Sequence, residues 1–181
     1  MAVRLVSTPR AQIPNALTLA RLAAVPLFIA LIIDSTGGRS IAAALVFGIA
    51  GITDQVDGFL ARRWDVESGF GKIADPLADR LMIDAAVILL WHASRLPIVA
   101  LAIPLRDLVA IVLTPIVIGR GYTFEVNRVG KLATWLLYAS LAGVMVTRRG
   151  TDWPVGIFWA GFACALISLG GYILKARREI N

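Results

Sequence analysis

The sequence predicts an all-α membrane protein of six transmembrane helices, with the N- and C-termini on the cytoplasmic side. Three observations lead to this expectation. Hydrophobic residues make up 58% of the 181-residue chain, against roughly 45–50% in a globular chain. Six apolar segments recur along it, each near the length of about 20 residues that crosses a bilayer core. The basic residues between these segments fall mainly on one side once the segments are threaded back and forth.

The segments run over residues 16–33, 41–60, 75–91, 97–118, 131–146 and 153–174. The last contains no charge. The second and third are unusual, because they hold Asp54 and Asp57, then Asp75, Asp79, Arg80 and Asp84. A charge at a membrane-helix centre costs about 2.5–3.5 kcal/mol on insertion scales, so such residues are retained where they face a wet or metal-filled interior. With the N-terminus inside, eleven basic residues flank the cytoplasmic ends of the segments. Four, Arg39, Arg95, Arg148 and Arg149, fall on the opposite side. This asymmetry puts both termini, and the loop between segments two and three, in the cytoplasm.

Residues 1–181 read as a single domain, with no long polar insertion, low-complexity stretch or internal repeat. The stretch from Met1 to Pro14 has no signal-peptide pattern, and the apolar run after it reads as a retained membrane segment. No Arg- and Ser-rich, acid-poor leader is present, which favours a bacterial plasma membrane. The formal charge of +6 reports topology and anionic lipid headgroups. No basic tract interleaved with aromatics is present, so nucleic acid is not an expected partner. The single cysteine, Cys164, and the single histidine, His92, make a zinc site unpromising.

The chemistry-bearing stretch lies across segments two and three. Asp54 and Asp57 are three apart and share a helix face; Asp75 and Asp79 are four apart and do the same. A short turn joins the two helices, so they run antiparallel and both pairs lie near the cytoplasmic end. Four unpaired carboxylates repel one another, and a divalent cation relieves the repulsion. All-oxygen ligation suits Mg²⁺, Mn²⁺ or Ca²⁺ better than zinc. Gly58 and Ala61 leave room beside the carboxylates. Arg62 offers a guanidinium fork to a phosphate, and Arg63, Ser68 and Lys72 add donors. A metal-bound phosphate site at the membrane surface points to a lipid-linked diphosphate substrate. The competing class is an ion-coupled transporter, whose relay carboxylates would sit nearer mid-membrane.

Asp54, Asp57, Gly58, Ala61, Arg62, Gly71, Asp75 and Asp79 complete the pattern D-x2-D-G-x2-A-R-x8-G-x3-D-x3-D. This pattern resembles the signature of the CDP-alcohol phosphatidyltransferase family. The resemblance implies a six-helix membrane enzyme, commonly a homodimer, in which an acceptor hydroxyl displaces CMP from a CDP-linked lipid. It implies Mg²⁺ or Mn²⁺, two ions, held by Asp54, Asp57, Asp75 and Asp79, with Asp79 also the general base. It places CDP-diacylglycerol against Asn15, Thr18, Gly58, Ala61, Arg62, Ser68, Gly71 and Lys72.

Arg21, the pair Arg106-Asp107 and Lys131 are candidates for binding an anionic acceptor alcohol; internal salt bridges or snorkelling side chains are the alternative. Asp84 follows Arg80 by four residues and reads as its structural partner. The opening Ile13-Pro-Asn-Ala-Leu-Thr-Leu-Ala-Arg21 resembles the phosphatidylglycerophosphate synthase and cardiolipin synthase branch. The branch's glycerol-phosphate enzymes usually read G-K-x-K-T-x2-Q at segment five. Here Lys131 is kept, while Ala133 and Leu137 replace the second Lys and the Gln. That loss weakens the case for a small anionic acceptor, and Gly130-Lys-Leu-Ala-Thr134 resembles the CMP-forming cardiolipin synthases of bacteria, which implies phosphatidylglycerol as acceptor, then glycerol 3-phosphate, then an inositol phosphate.

Overall fold

The computed structural model describes residues 9–64, 71–109 and 128–180. All regular structure among the described residues is helical. Helix α1 spans Pro9–Ile33, α2 Ile41–Trp64 and α3 Gly71–His92. After a 3-10 turn at Ile98–Leu101, α4 begins at residue 102 and is described to residue 109. Helix α5 spans Arg128–Val146 and α6 spans Asp152–Ile180.

Each expected segment has a helix, and several helices outrun their apolar stretch. α2 continues through Arg62 and Arg63, α3 starts at Gly71, and α6 continues through Lys175, Arg177 and Arg178. Hydropathy marks only the part of a helix that can sit in hydrocarbon. The backbone hydrogen bonds continue past that limit at no cost in water. The fourth segment begins differently from expectation. Pro97 caps the 3-10 turn instead of opening the helix, and residues 110–118 of that segment lie outside the described residues.

Local chemistry explains the boundaries. Ser40 caps α2 by accepting the Ala43 N–H on its hydroxyl at 3.1 Å. α3 ends in a Schellman turn: Arg95 N–H donates to Leu90 O at 2.8 Å and Ser94 N–H to Trp91 O at 2.8 Å. Ser94 takes the left-handed conformation, φ 57°, that glycine usually supplies. Between α1 and α2, Gly38 has φ +72°, and a Cβ there would lie 2.8 Å from Ala93 Cβ. The connection therefore rests directly on the end of α3.

The core draws on every helix, with Phe28, Phe47, Met82, Leu90, Ile103, Leu141, Met145 and Phe158 at its centre. Phe47 of α2 stands 5.5 Å from the Phe28 ring of α1 and 4.7 Å from the Tyr138 ring of α5. These tilted pairs tie three helices together. α2 and α5 meet at Gly51, where an added Cβ would lie 2.6 Å from the Tyr138 ring. Gly51→Ala is therefore expected to destabilise the protein by about 1–3 kcal/mol, through overpacking. At Gly48 an added Cβ meets nothing within 4 Å. Gly48→Ala is expected to stabilise by about 0.5–1 kcal/mol, the helical advantage of alanine. Unfolding temperatures of the two variants in one detergent check both signs.

The outside is apolar as well. Ile41, Leu45, Ile49 and Ile52 form an exposed stripe along α2, and Leu132, Trp135, Trp159 and Ile167 are exposed on α5 and α6. Contiguous apolar surface of this kind is unfavourable in water and neutral in hydrocarbon. α5 over Val129–Val146 and α6 over Asp152–Gly171 are long and apolar enough to cross a membrane. Shorter apolar stretches run over Leu19–Ile33 and Ile41–Thr53.

Candidate active site

The ends of the helices establish where the carboxylate positions stand. Ser40 N–H, at the start of α2, donates to Met145 O near the end of α5 at 3.0 Å. Arg95, just after α3, donates to Thr147 O at 2.8 Å and to Val144 O. The start of α2 and the ends of α3 and α5 thus meet at one end of the bundle. Asp54 and Asp57 lie in the last three turns of α2, and Asp75 and Asp79 in the first three turns of α3. All four positions therefore belong to the opposite end. Gly58, Ala61 and Arg62 follow on α2, and Gly71 and Lys72 open α3. Asn15 and Thr18 lie in the first half of α1, and Lys131 in the first turn of α5. Ser68 lies outside the described residues.

Four carboxylates on two helices are a hard, oxygen-only donor set, and this chemistry fits Mg²⁺ or Mn²⁺. Among the described side chains no three His, Cys, Asp or Glu converge elsewhere.

Behind this end the helices bury charge. Arg21 of α1 is 2% exposed and Asp107 of α4 is 3% exposed. Arg106 donates from Nε and NH2 to Asp107 Oδ1, at 3.0 and 2.8 Å. Arg80 of α3 approaches the same oxygen at 3.9 Å. Asp84 shares this space with Asp107, Arg106 and Arg80. Two arginines and two carboxylates thus form a compact polar group between α3 and α4.

One expectation is corrected here. Arg80 forms its ion pair across the helices with Asp107, not along α3 with Asp84. Helix side chains lean toward the N-terminus, so an acid four residues after an arginine stands behind it. That order is the weaker one for an ion pair along a helix. Asp107 as the shared acceptor of two arginines was not apparent from the sequence, although the unfavourable Arg80–Asp84 order was a usable signal. Arg106 and Asp107 do form the internal salt bridge weighed above, with Arg106 still partly exposed. Lys131 is exposed and has no ion pair among the described residues.

The carboxylate motif thus stands at one end of an all-helical, outwardly apolar bundle, and similarity to known proteins supplies the class. Residues 11–167 match the family model for CDP-alcohol phosphatidyltransferase, and the chain belongs to that family. Its relatives include a cardiolipin synthase (CMP-forming) of Streptomyces coelicolor, 36% identical over 93% of this chain and 84% of the relative. A CDP-diacylglycerol–glycerol-3-phosphate 3-phosphatidyltransferase of Bacillus subtilis is 33% identical over 75% of this chain and 77% of its own. The Escherichia coli protein of the same description is 29% identical over 93% of this chain and 97% of its own. The chain is thus a phosphatidyltransferase of phospholipid biosynthesis, and the transporter reading is set aside.

Proposed function

We propose that this enzyme transfers the phosphatidyl group of CDP-diacylglycerol to a hydroxyl of phosphatidylglycerol, releasing CMP. We place it in a bacterial plasma membrane as a single six-helix domain and a homodimer, with the carboxylate end facing the cytoplasm. The observation that carries the acceptor lies on α5. Ala133 and Leu137 stand where glycerol-phosphate enzymes of the branch usually have Lys and Gln. Both are buried, at 3% and 2% exposure. These positions serve core packing and leave Lys131 as the one cation of the stretch 130–137. A small dianionic acceptor loses the groups that would hold it, while a large lipid acceptor is held in part by the bilayer. The Streptomyces relative's description supports the same reading. Glycerol 3-phosphate is the second reading, supported by the retained Lys131 and the other two relatives.

Asp54, Asp57, Asp75 and Asp79 would hold Mg²⁺ or Mn²⁺, two ions. When bound, the ions supply neutralisation of the diphosphate and of the leaving CMP. Arg62, Lys72 and Ser68 donate hydrogen bonds to the diphosphate oxygens. Gly58, Ala61 and Gly71 keep the helix surfaces low enough for the substrate to approach. Asn15 and Thr18 contribute to the nucleotide pocket from α1. Asp79 removes the proton from the acceptor hydroxyl. The freed oxygen bonds to the phosphatidyl phosphorus as the bond from that phosphorus to the bridging oxygen breaks. CMP leaves with the bridging oxygen. Arg21 and Arg106 offer positive charge to the acceptor's phosphate, together with Lys131.

Purified protein with CDP-diacylglycerol and phosphatidylglycerol is expected to release CMP when Mg²⁺ is present. EDTA is expected to lower the rate at least about 100-fold, and excess Mg²⁺ to restore it. CMP release that continues unchanged in EDTA would overturn the metal assignment.

A further inference from the structure

The end of the bundle away from the carboxylates holds a second charged feature. Arg39, Arg95, Arg148 and Arg149 are the basic residues that the sequence places there, where they served only to orient the chain. Tertiary structure gathers all four around one cavity of about 420 Å³, which they line together with Thr36 and Gly37. They come from three connections: α1 to α2, α3 to α4, and α5 to α6.

Three of the guanidiniums are held by backbone carbonyls. Arg39 Nε donates to Val146 O at 3.1 Å, Arg95 NH2 to Thr147 O at 2.8 Å and to Val144 O, and Arg149 NH2 to Ala93 O. These carbonyls close α5 and α3, where the helix dipole favours cations. Each guanidinium has five N–H donors, so donors remain after these bonds. The Arg148 side chain forms no hydrogen bond or ion pair among the described residues. Asp34 and Asp152 are exposed at the same end, and neither forms an ion pair with the arginines. Burial, and after it the charges of Arg149 and Arg39, draw the Arg95 guanidinium below its ordinary value. The cluster is thus one of like charges held together, with no carboxylate ion-paired to it among the described residues.

We propose that this cavity is a phosphate-binding site, filled by the phosphate of an anionic phospholipid headgroup or by a free phosphate. Guanidinium forks match phosphate oxygens in geometry and in charge. Gly37, φ +64°, lies against the Arg149 guanidinium and contributes no side chain to the space. Ile33, Ile41, Trp91, Ile98 and Trp153 are exposed at the same end of the bundle. Acyl chains can lie against them while the phosphate reaches the arginines. The site shares no residue with the carboxylate end and does not depend on the acceptor reading.

The test uses full-length protein in neutral detergent, with EDTA throughout so that the carboxylates cannot hold phosphate through a metal. Unfolding temperature is measured with phosphatidic acid, which has no acceptor hydroxyl, with phosphatidylcholine, and with inorganic phosphate. At ten times its half-saturating concentration, phosphatidic acid is expected to raise the unfolding temperature by about 3–6 °C. Phosphatidylcholine, whose quaternary amine opposes the arginines, is expected to give no rise. Arg148→Glu is expected to remove at least half of the rise; the lipid-free value is expected to hold or to increase, since Arg148 holds no other group and the new carboxylate relieves the like charges. Arg148→Gln reads the same way should the reversal disturb folding. Asp79→Asn is expected to keep the full rise. A rise with inorganic phosphate that is lost in Arg148→Glu assigns the site to a free anion; a rise with the lipid alone assigns it to a headgroup. An equal rise with phosphatidylcholine, or one that both Arg148 variants leave intact, overturns the proposal.

Discussion

Asp57→Asn and Asp79→Asn are each expected to lower CMP release by at least about 10³-fold, and Asp84→Asn to keep it within about 10-fold. The large losses follow from the donor set. Asn preserves size but removes a negative charge from the set proposed to hold divalent cations. Metal stabilisation of transition-state charge amounts to several kcal/mol, and about 4 kcal/mol corresponds to roughly 10³ in rate. The two variants differ in detail. For Asp57→Asn, part of the loss recovers at higher Mg²⁺, because affinity for the ion is weakened. For Asp79→Asn, the loss in kcat remains at saturating Mg²⁺, because the proton acceptor is also gone. Asp84 belongs to the polar group with Asp107, Arg106 and Arg80. An amide there can still hydrogen-bond to Asp107, so the cluster persists. Initial rates of CMP release over a Mg²⁺ series measure all three variants. Equal losses in the three would show that Asp84 belongs with the metal ligands and that the division of the acids is wrong.

Offered one acceptor at a time with labelled CDP-diacylglycerol, the enzyme is expected to turn over phosphatidylglycerol at least about 10-fold faster than glycerol 3-phosphate. Inositol 1-phosphate is expected to give still less product. One lost hydrogen bond to a charged group costs about 1.5–3 kcal/mol, which corresponds to about 10-fold or more. Compared with the usual glycerol-phosphate pattern, α5 lacks two such groups, at Ala133 and Leu137. The converse experiment is Ala133→Lys. Because Ala133 is buried against neighbouring helices, the added lysine is expected to destabilise the bundle more than it recruits glycerol 3-phosphate. Lipid products separated by charge and chain number decide the question. Dominant product from glycerol 3-phosphate would replace the first acceptor reading with the second.

Much of this protein is legible in its sequence. Helix periodicity and hydropathy are local properties, so the apolar runs marked the helices. The spacing of Asp54, Asp57, Asp75 and Asp79 assigned two acids to each of two consecutive helices, and the chain's membership of the phosphatidyltransferase family agrees with that motif. Helix ends were less legible. Polar turns of α2, α3 and α6 remain helical beyond their apolar stretch, and Ser94 ends α3 in a conformation usually marked by glycine.

The sequence by itself determined the class of reaction, the all-helical fold and the placement of the acids on α2 and α3. Each of these depends on patterns that run along the chain, within one helix or across two consecutive helices. Only the tertiary structure decided that Arg80 answers to Asp107 instead of Asp84. It alone gathered Arg39, Arg95, Arg148 and Arg149 into one cavity. These arrangements depend on which helix ends meet. Arg39 and Val146, for example, are 107 positions apart and joined by a hydrogen bond. Packing of non-consecutive helices sets such contacts, and no local pattern in the chain encodes them.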